Sequence, residues 1–164
     1  MGIKLFRDKI FYPMLPLKLY LKKRNEIMDM EITFPGGKKV NANFNGFVIK
    51  TDQPIYGGGE NSAPAPFDYF LASIGTCAGI YVLSFCQQRA IAADKIKIIQ
   101  KMIPNASGRG IETIALEIQL PPDFPEQYKD AVIRSADLCA VKRYLLNPPS
   151  FDIYTTIVDA SKEK

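Results

Sequence analysis

The stretch from Pro66 to Arg89, PFDYFLASIGTCAGIYVLSFCQQR, is the longest unbroken apolar run in the chain and holds no proline after Pro66. Its length and composition predict one long helix, around which the remaining elements must pack. Pro66 suits a first helical turn and Asp68 suits the positive end of the helix dipole. Gln87, Gln88 and Arg89 suit a C-terminus. Cys77 lies mid-run among very small residues: Ser73, Gly75, Thr76, Ala78 and Gly79. Small side chains let a neighbouring backbone come close. A cysteine at such a point is either a packing residue or a reactive one.

The segments on either side alternate like strands. Met30, Ile32 and Phe34 point one way, with Glu31 and Thr33 opposite. Pro35-Gly36-Gly37 makes a turn, and Val40, Ala42 and Phe44 alternate with Asn41 and Asn43. Asn45-Gly46 is a strong hairpin signal, with Phe47 to Thr51 as the return strand. This predicts a three-stranded antiparallel meander. Asp52 to Pro66 is a glycine- and proline-rich loop leading into the helix. Beyond the helix, Lys95 to Ile103 and Ile114 to Leu120 read as strands joined by a turn at 104–110. A second helix is predicted from Pro125 to about Leu146, stopped by Asn147-Pro148-Pro149. Phe151 to Val158 alternates as a last strand. Strands and helices segregate, so the fold class is α+β.

Residues 1–27 differ from the rest. IFYPMLPLKLYLKKR mixes apolar and basic residues around two prolines. It is too short and too charged to span a bilayer, and it lacks the small-residue cleavage site of a signal peptide. Three readings stay open: a surface or disordered extension, a segment that docks on a membrane surface or a partner, and a start at Met28 or Met30. The expected organisation is this extension followed by one domain, 28–164.

Charge and residue usage exclude several chemistries. The chain holds 21 basic and 17 acidic residues, for a net +4. The surplus lies within residues 1–24, where seven basic residues face Asp8 alone. The body is near neutral and has no electrostatic support for binding nucleic acid. There is no histidine, which removes Ser-His-Asp and Cys-His catalysis and any histidine-containing zinc site. Three cysteines without a C-x-x-C pair make a structural zinc site improbable, and neither metal nor cofactor is expected. The same three cysteines suit a reducing compartment, so a cytoplasmic location is expected.

Cys139 falls on a small-residue face of the second predicted helix, with Ser135, Ala136 and Ala140. Ordinary helix axes pack about 8–10 Å apart, whereas a disulfide needs Cα atoms about 4.4–6.8 Å apart. Small residues at the crossing permit a Cys77–Cys139 bridge without demanding it. Cys86 is nine residues after Cys77, on the opposite side of its helix, and reads as an apolar filler. A reactive thiol needs a cation or a helix N-terminus. Cys77 is too deep in its helix for the dipole to help. Arg143, one turn after Cys139, and Lys38 and Lys39, after Gly37, are the candidate cations. The alternative is that both cysteines are core packing and all three cations are solvated.

The block GGGENSAPAPFDYFLASIGTCAG and the later CAVKR resemble the OsmC/Ohr family of thiol-dependent peroxidases. The resemblance spans about Met30 to Val158. It implies an OsmC-like fold, with antiparallel sheets and two central helices in an intertwined homodimer. It implies Cys77 as the peroxidatic residue, attacking an organic hydroperoxide, and Cys139 as the resolving one. It further implies an external dithiol reductant, a lipoylated protein in the Ohr branch, and a role in oxidative-stress defence. Departures from the Ohr pattern bear on activation. Ohr proteins pair an arginine with a glutamate directly after the loop proline; here Phe67 holds that position and Asp68 follows. Lys38 stands about where the arginine is expected, and a lysine cannot supply the guanidinium fork. The motif is closer to the YhfA-like branch. Arg143, Lys38 and Asp68 are therefore the candidate activating or orienting residues. The competing function is a non-catalytic protein of the same fold that binds a small hydrophobic molecule.

Overall fold

The computed structural model describes residues 28–158. The extension at 1–27 and the end of the polar tail lie outside the described residues. The chain forms two compact units that divide between Ala63 and Pro64.

The first unit is the expected meander. Strands β1 (Glu31–Gly36), β2 (Lys39–Phe44) and β3 (Phe47–Thr51) pair antiparallel in the order β1-β2-β3. Asn45 and Gly46 both take positive φ, 50° and 81°, as the two-residue hairpin turn requires. Ile32, Ala42 and Ile49 align across the sheet on one face, with Thr33, Asn41 and Lys50 on the other.

The loop after β3 is far more ordered than its composition suggests. Asp52 is 1% exposed. Its carboxylate accepts from the Gln53, Glu60 and Ser62 amides at 2.8, 3.1 and 3.0 Å and from the Ser62 hydroxyl at 2.7 Å. These donors, led by the Ser62 amide and hydroxyl, pull its pKa from the ordinary 3.8 to about 2. The loop is wound so tightly that a Cβ on Gly59 would lie 1.9 Å from the Gln53 carbonyl oxygen. Lys39 pairs with Glu60 at 2.6 Å across its edge.

The second unit is built on helix α1 (Pro66–Gln87), close to the predicted span. Asp68 Oδ2 accepts from the Ala65 amide at 2.9 Å and so satisfies a donor that the helix start leaves unpaired. At the other end Arg89 donates to the Phe85 carbonyl at 3.1 Å and lies 3.8 Å over the Phe85 ring. By length and composition alone α1 could cross a membrane. Here it is the core helix: Ala78, Val82, Phe85 and Cys86 join Phe124, Val132, Ala136 and Cys139 in one buried cluster.

Strands β4 (Lys97–Pro104) and β5 (Ile111–Gln119) form an antiparallel pair. Register places Ile98, Gln100 and Met102 beside Ile118, Leu116 and Ile114 on one face. Ile98, Leu116 and Ile118 pack on the buried cluster. The small side of α1 at Gly75 and Gly79 receives side chains of β4 rather than another backbone. A Cβ on Gly75 would meet Gln100 Oε1 at 2.8 Å, and Gln100 Nε2 donates to the Leu71 carbonyl at 3.0 Å.

Two expectations need correction. The second helix is not continuous to Leu146. A 3-10 turn at Glu126–Tyr128 leads into α2 (Lys129–Ala136), the chain breaks its helix at 137–139, and α3 runs Ala140–Leu146. Cys139 is therefore not inside a helix: it is the N-cap of α3. The predicted strand at 151–158 is also absent, because no described strand lies alongside to pair with it. Its apolar side chains are exposed, Phe151 by 85% and Ile153 by 92%. An alternating pattern records a capacity to pair, and a strand forms only where a partner supplies the ladder.

Candidate functional site

The two cysteines that the sequence singles out meet in the second unit. Cys77 projects from the middle of α1 and is half-buried; Cys139 is 2% exposed at the start of α3. Both are free thiols. The Cys139 thiol faces α1, donating to the Ile74 carbonyl at 3.9 Å, one turn before Cys77, which is close enough to influence its ionisation. On its other side Cys139 Sγ accepts from the Lys142 amide at 3.5 Å. Burial is the main force raising the Cys139 pKa. The Lys142 amide opposes it, while the hydrogen bond to Cys77 and the Cys77 charge reinforce it. Burial thus favours the protonated form of Cys139.

Local sequence explains the placement. Ala78 and Gly79 keep that part of α1 slim, and Ala136 brings the end of α2 into the buried cluster. The break at 137–139 is closed by an ion pair between Asp137 and Lys142 at 2.6 Å. The Leu138 and Cys139 amides return to the Ser135 and Ala136 carbonyls at 3.1 and 3.2 Å. Cys139 then starts α3, with the Arg143 amide bonded to its carbonyl at 3.1 Å.

An open groove of about 510 Å³ reaches Cys139. Ile114, Leu116 and Ile118 of β5 form its floor, with Val132, Ile133 and Leu145 on the helical side. Lys129 and Lys142 stand at its polar edge. A second groove of about 640 Å³ lies between α1 and β4 and is lined by neither cysteine.

The chain matches the family model described as OsmC-like protein over residues 59–154, more than half its length. The chain belongs to the OsmC/Ohr family. Its fold is that of solved OsmC structures at low identity. One is a provisionally assigned osmotic-stress-induced and detoxification-response protein from Psychrobacter arcticus 273-4. It aligns with a TM-score of 0.60 at 16% identity, covering 73% of this chain and 88% of that one. An OsmC-like protein of unknown function from Vibrio cholerae gives 0.55 at 12%, covering 72% and 92%. An OsmC-like protein from Mycoplasma pneumoniae gives 0.55 at 15%, covering 76% and 90%. No curated protein matches the chain in sequence.

The other residues singled out in this OsmC-like chain have surroundings of their own. Asp68 lies nine residues before Cys77, about 13 Å along the axis of α1, and is engaged at the helix start. Arg143 is exposed on α3, and no cation figures among the influences on Cys139. Lys38 is exposed in the β1–β2 turn of the first unit, its side chain near Gly58. Cys86 is fully buried, and burial raises its pKa against the nearby Arg89 charge. Among the described residues no cluster of His, Cys, Asp or Glu could hold a metal ion. Sequence reasoning missed the Lys142 amide and the Asp137–Lys142 pair. The signal available was an Asp two residues before the cysteine and a Lys three after it, at cap spacing.

Proposed function

We propose that the protein reduces organic hydroperoxides through Cys77 and Cys139. The observation that supports this reading is that Cys139 bonds to the Ile74 carbonyl one turn before Cys77 and that Cys77 influences the ionisation of Cys139. In the forward reaction the Cys77 thiolate attacks an oxygen of ROOH. The O–O bond breaks, the alkoxide RO⁻ leaves and takes up the proton that the Cys77 thiol lost on ionising to become ROH, and Cys77 becomes a sulfenic acid. Cys139 sulfur then attacks Cys77 sulfur. The S–S bond forms, the S–OH bond breaks, and the Cys139 proton leaves with the hydroxyl as water. An external dithiol restores both thiols by exchange. Cys77 is the peroxidatic residue and Cys139 the resolving one. The largely apolar groove that reaches Cys139, on the resolving side of the pair, has the size of a small-molecule site.

Arg143, Lys38 and Asp68 remain candidates for activating Cys77. Any such role for Arg143 requires its exposed side chain to turn towards Cys77. A homodimer is the proposed assembly, supported by the exposed apolar residues Phe67 and Ile80 of α1 and the exposed 151–158 segment. The groove itself favours a second reading, a non-catalytic binder of small hydrophobic molecules.

The test is to add cumene hydroperoxide to the reduced protein and follow thiols by mass spectrometry. Loss of two hydrogens per chain with a Cys77–Cys139 cross-link supports the peroxidase. Persistence of both thiols under excess hydroperoxide, with saturable binding of an apolar fluorophore, supports the binder instead.

A further inference from the structure

We infer that a Cys77–Cys139 disulfide uncaps α3 and loosens the chain from Ala140 onwards, so that the thiol pair is also a conformational switch. The inference rests on the proposed pairing of the two cysteines, though not on peroxide being the oxidant.

Helix α3 has little else to hold it. It is seven residues long, none of them buried, and isolated helices of that length are unstable in water. Val141 packs on the core, while Tyr144, Leu145 and Leu146 are exposed. Its start depends on Cys139 Sγ accepting from the Lys142 amide and on the Asp137–Lys142 pair. After it the chain has no regular structure up to Val158. Cys139 is therefore the last deeply buried anchor of the C-terminal part.

Oxidation acts on that anchor. Two thiols lose two protons and two electrons, and one S–S bond of about 2.05 Å replaces the non-bonded approach of two free thiols. One sulfur must move by more than ~1 Å. Cys77 lies in the middle of a 22-residue helix seated on β4 and α2, whereas Cys139 lies at a helix break. The shorter displacement in energy is that of Cys139 towards α1, away from the Lys142 amide that is already 3.5 Å distant. The same step removes the S–H that donates to Ile74. An amide at the first turn of α3 loses its acceptor, and the exposed segment beyond it loses its tether.

Diamide, which oxidises dithiols without peroxide, drives the test. Hydrogen exchange is followed across 140–158 in reduced and diamide-treated full-length protein, with the cross-link confirmed by peptide mass spectrometry. Exchange in 140–146 should quicken by roughly three- to tenfold on oxidation, the range set by loss of a typical N-cap. Exchange in α1 should hold steady or slow. Cys139→Ser keeps an N-cap hydroxyl and cannot be oxidised, so its exchange should stay low with and without diamide. Unchanged exchange in cross-linked wild-type protein overturns the switch, and so does failure of diamide to form the cross-link. A cross-link that forms with diamide but not with cumene hydroperoxide overturns the peroxidase alone.

Discussion

Cys77 and Cys139 are neighbours, yet their surroundings differ in almost every respect. Cys77 sits in the interior of a long helix whose backbone bonds are complete and whose flanks are fixed by Gln100 on one side and the α2 contacts on the other. Cys139 sits where two short helices meet, nearly sealed from solvent, its sulfur used as a helix cap. The first is a half-buried thiol on a rigid support. The second is a buried thiol at a helix break. A nucleophile benefits from fixed geometry, and a resolving group must travel, so the difference matches the roles proposed for them.

The largest effect should come from removing the half-buried thiol. Cys77→Ser should lower hydroperoxide consumption by more than about 1000-fold, because an alcohol is not ionised near neutral pH. Cys139→Ser should allow one equivalent to react and then stall, with a sulfenic acid on Cys77 trapped by dimedone. Cys86→Ser serves as the control and should keep turnover within about threefold, since that thiol is fully buried and burial raises its pKa. Equal losses in Cys77→Ser and Cys86→Ser would break the comparison.

Reactivity towards iodoacetamide sharpens it. At pH 8 Cys139 and Cys86 should alkylate at least about tenfold more slowly than Cys77, because burial raises both thiols and closes them to reagent. Peptide mapping over time reads all three rates in one experiment.

Stability separates the two sides less sharply. Val132 is fully buried in the cluster that holds Cys139. Val132→Ala should cost about 2–3 kcal/mol in denaturant unfolding, as expected for a large-to-small change in a packed core.

The smallest effect on the pair should come from pH acting on the first unit. The folded Asp52 pKa of about 2 lies below the ordinary 3.8, so its carboxylate stabilises the folded loop above about pH 4. That contribution falls away as pH drops through 2. The Glu60 and Ser62 amide resonances should shift over that window, with the Cys77–Cys139 region unaffected. Asp52→Asn should abolish the transition.

Much of this was legible in the sequence, because several signals were local. The span of α1 follows from an apolar run between Pro66 and a polar Gln-Gln-Arg end. The β2–β3 hairpin follows from Asn45-Gly46, whose residues tolerate positive φ. What was not legible depended on partners distant in sequence. Nothing in Ala136-Asp137-Leu138-Cys139-Ala140 is a strong helix breaker. The break exists because Cys139 caps α3 while its thiol meets α1, more than sixty residues earlier. The 151–158 alternation resembles a strand for the same reason in reverse: the pattern is present and a partner is not. Asp52 looked like an ordinary loop acid, since its role depends on amides eight and ten residues ahead. The cysteine pair was visible only as a permitted contact. The structure supplies the approach of Cys139 to α1 at Ile74, one turn before Cys77.

The most direct measurement is stoichiometric. One equivalent of cumene hydroperoxide is added to fully reduced protein, and the disulfides are mapped by peptide mass spectrometry before any reductant is present. The account predicts a single Cys77–Cys139 cross-link formed within the chain, with Cys86 still reduced. Three intact thiols, or a cross-link that draws in Cys86 instead of Cys139, would contradict it.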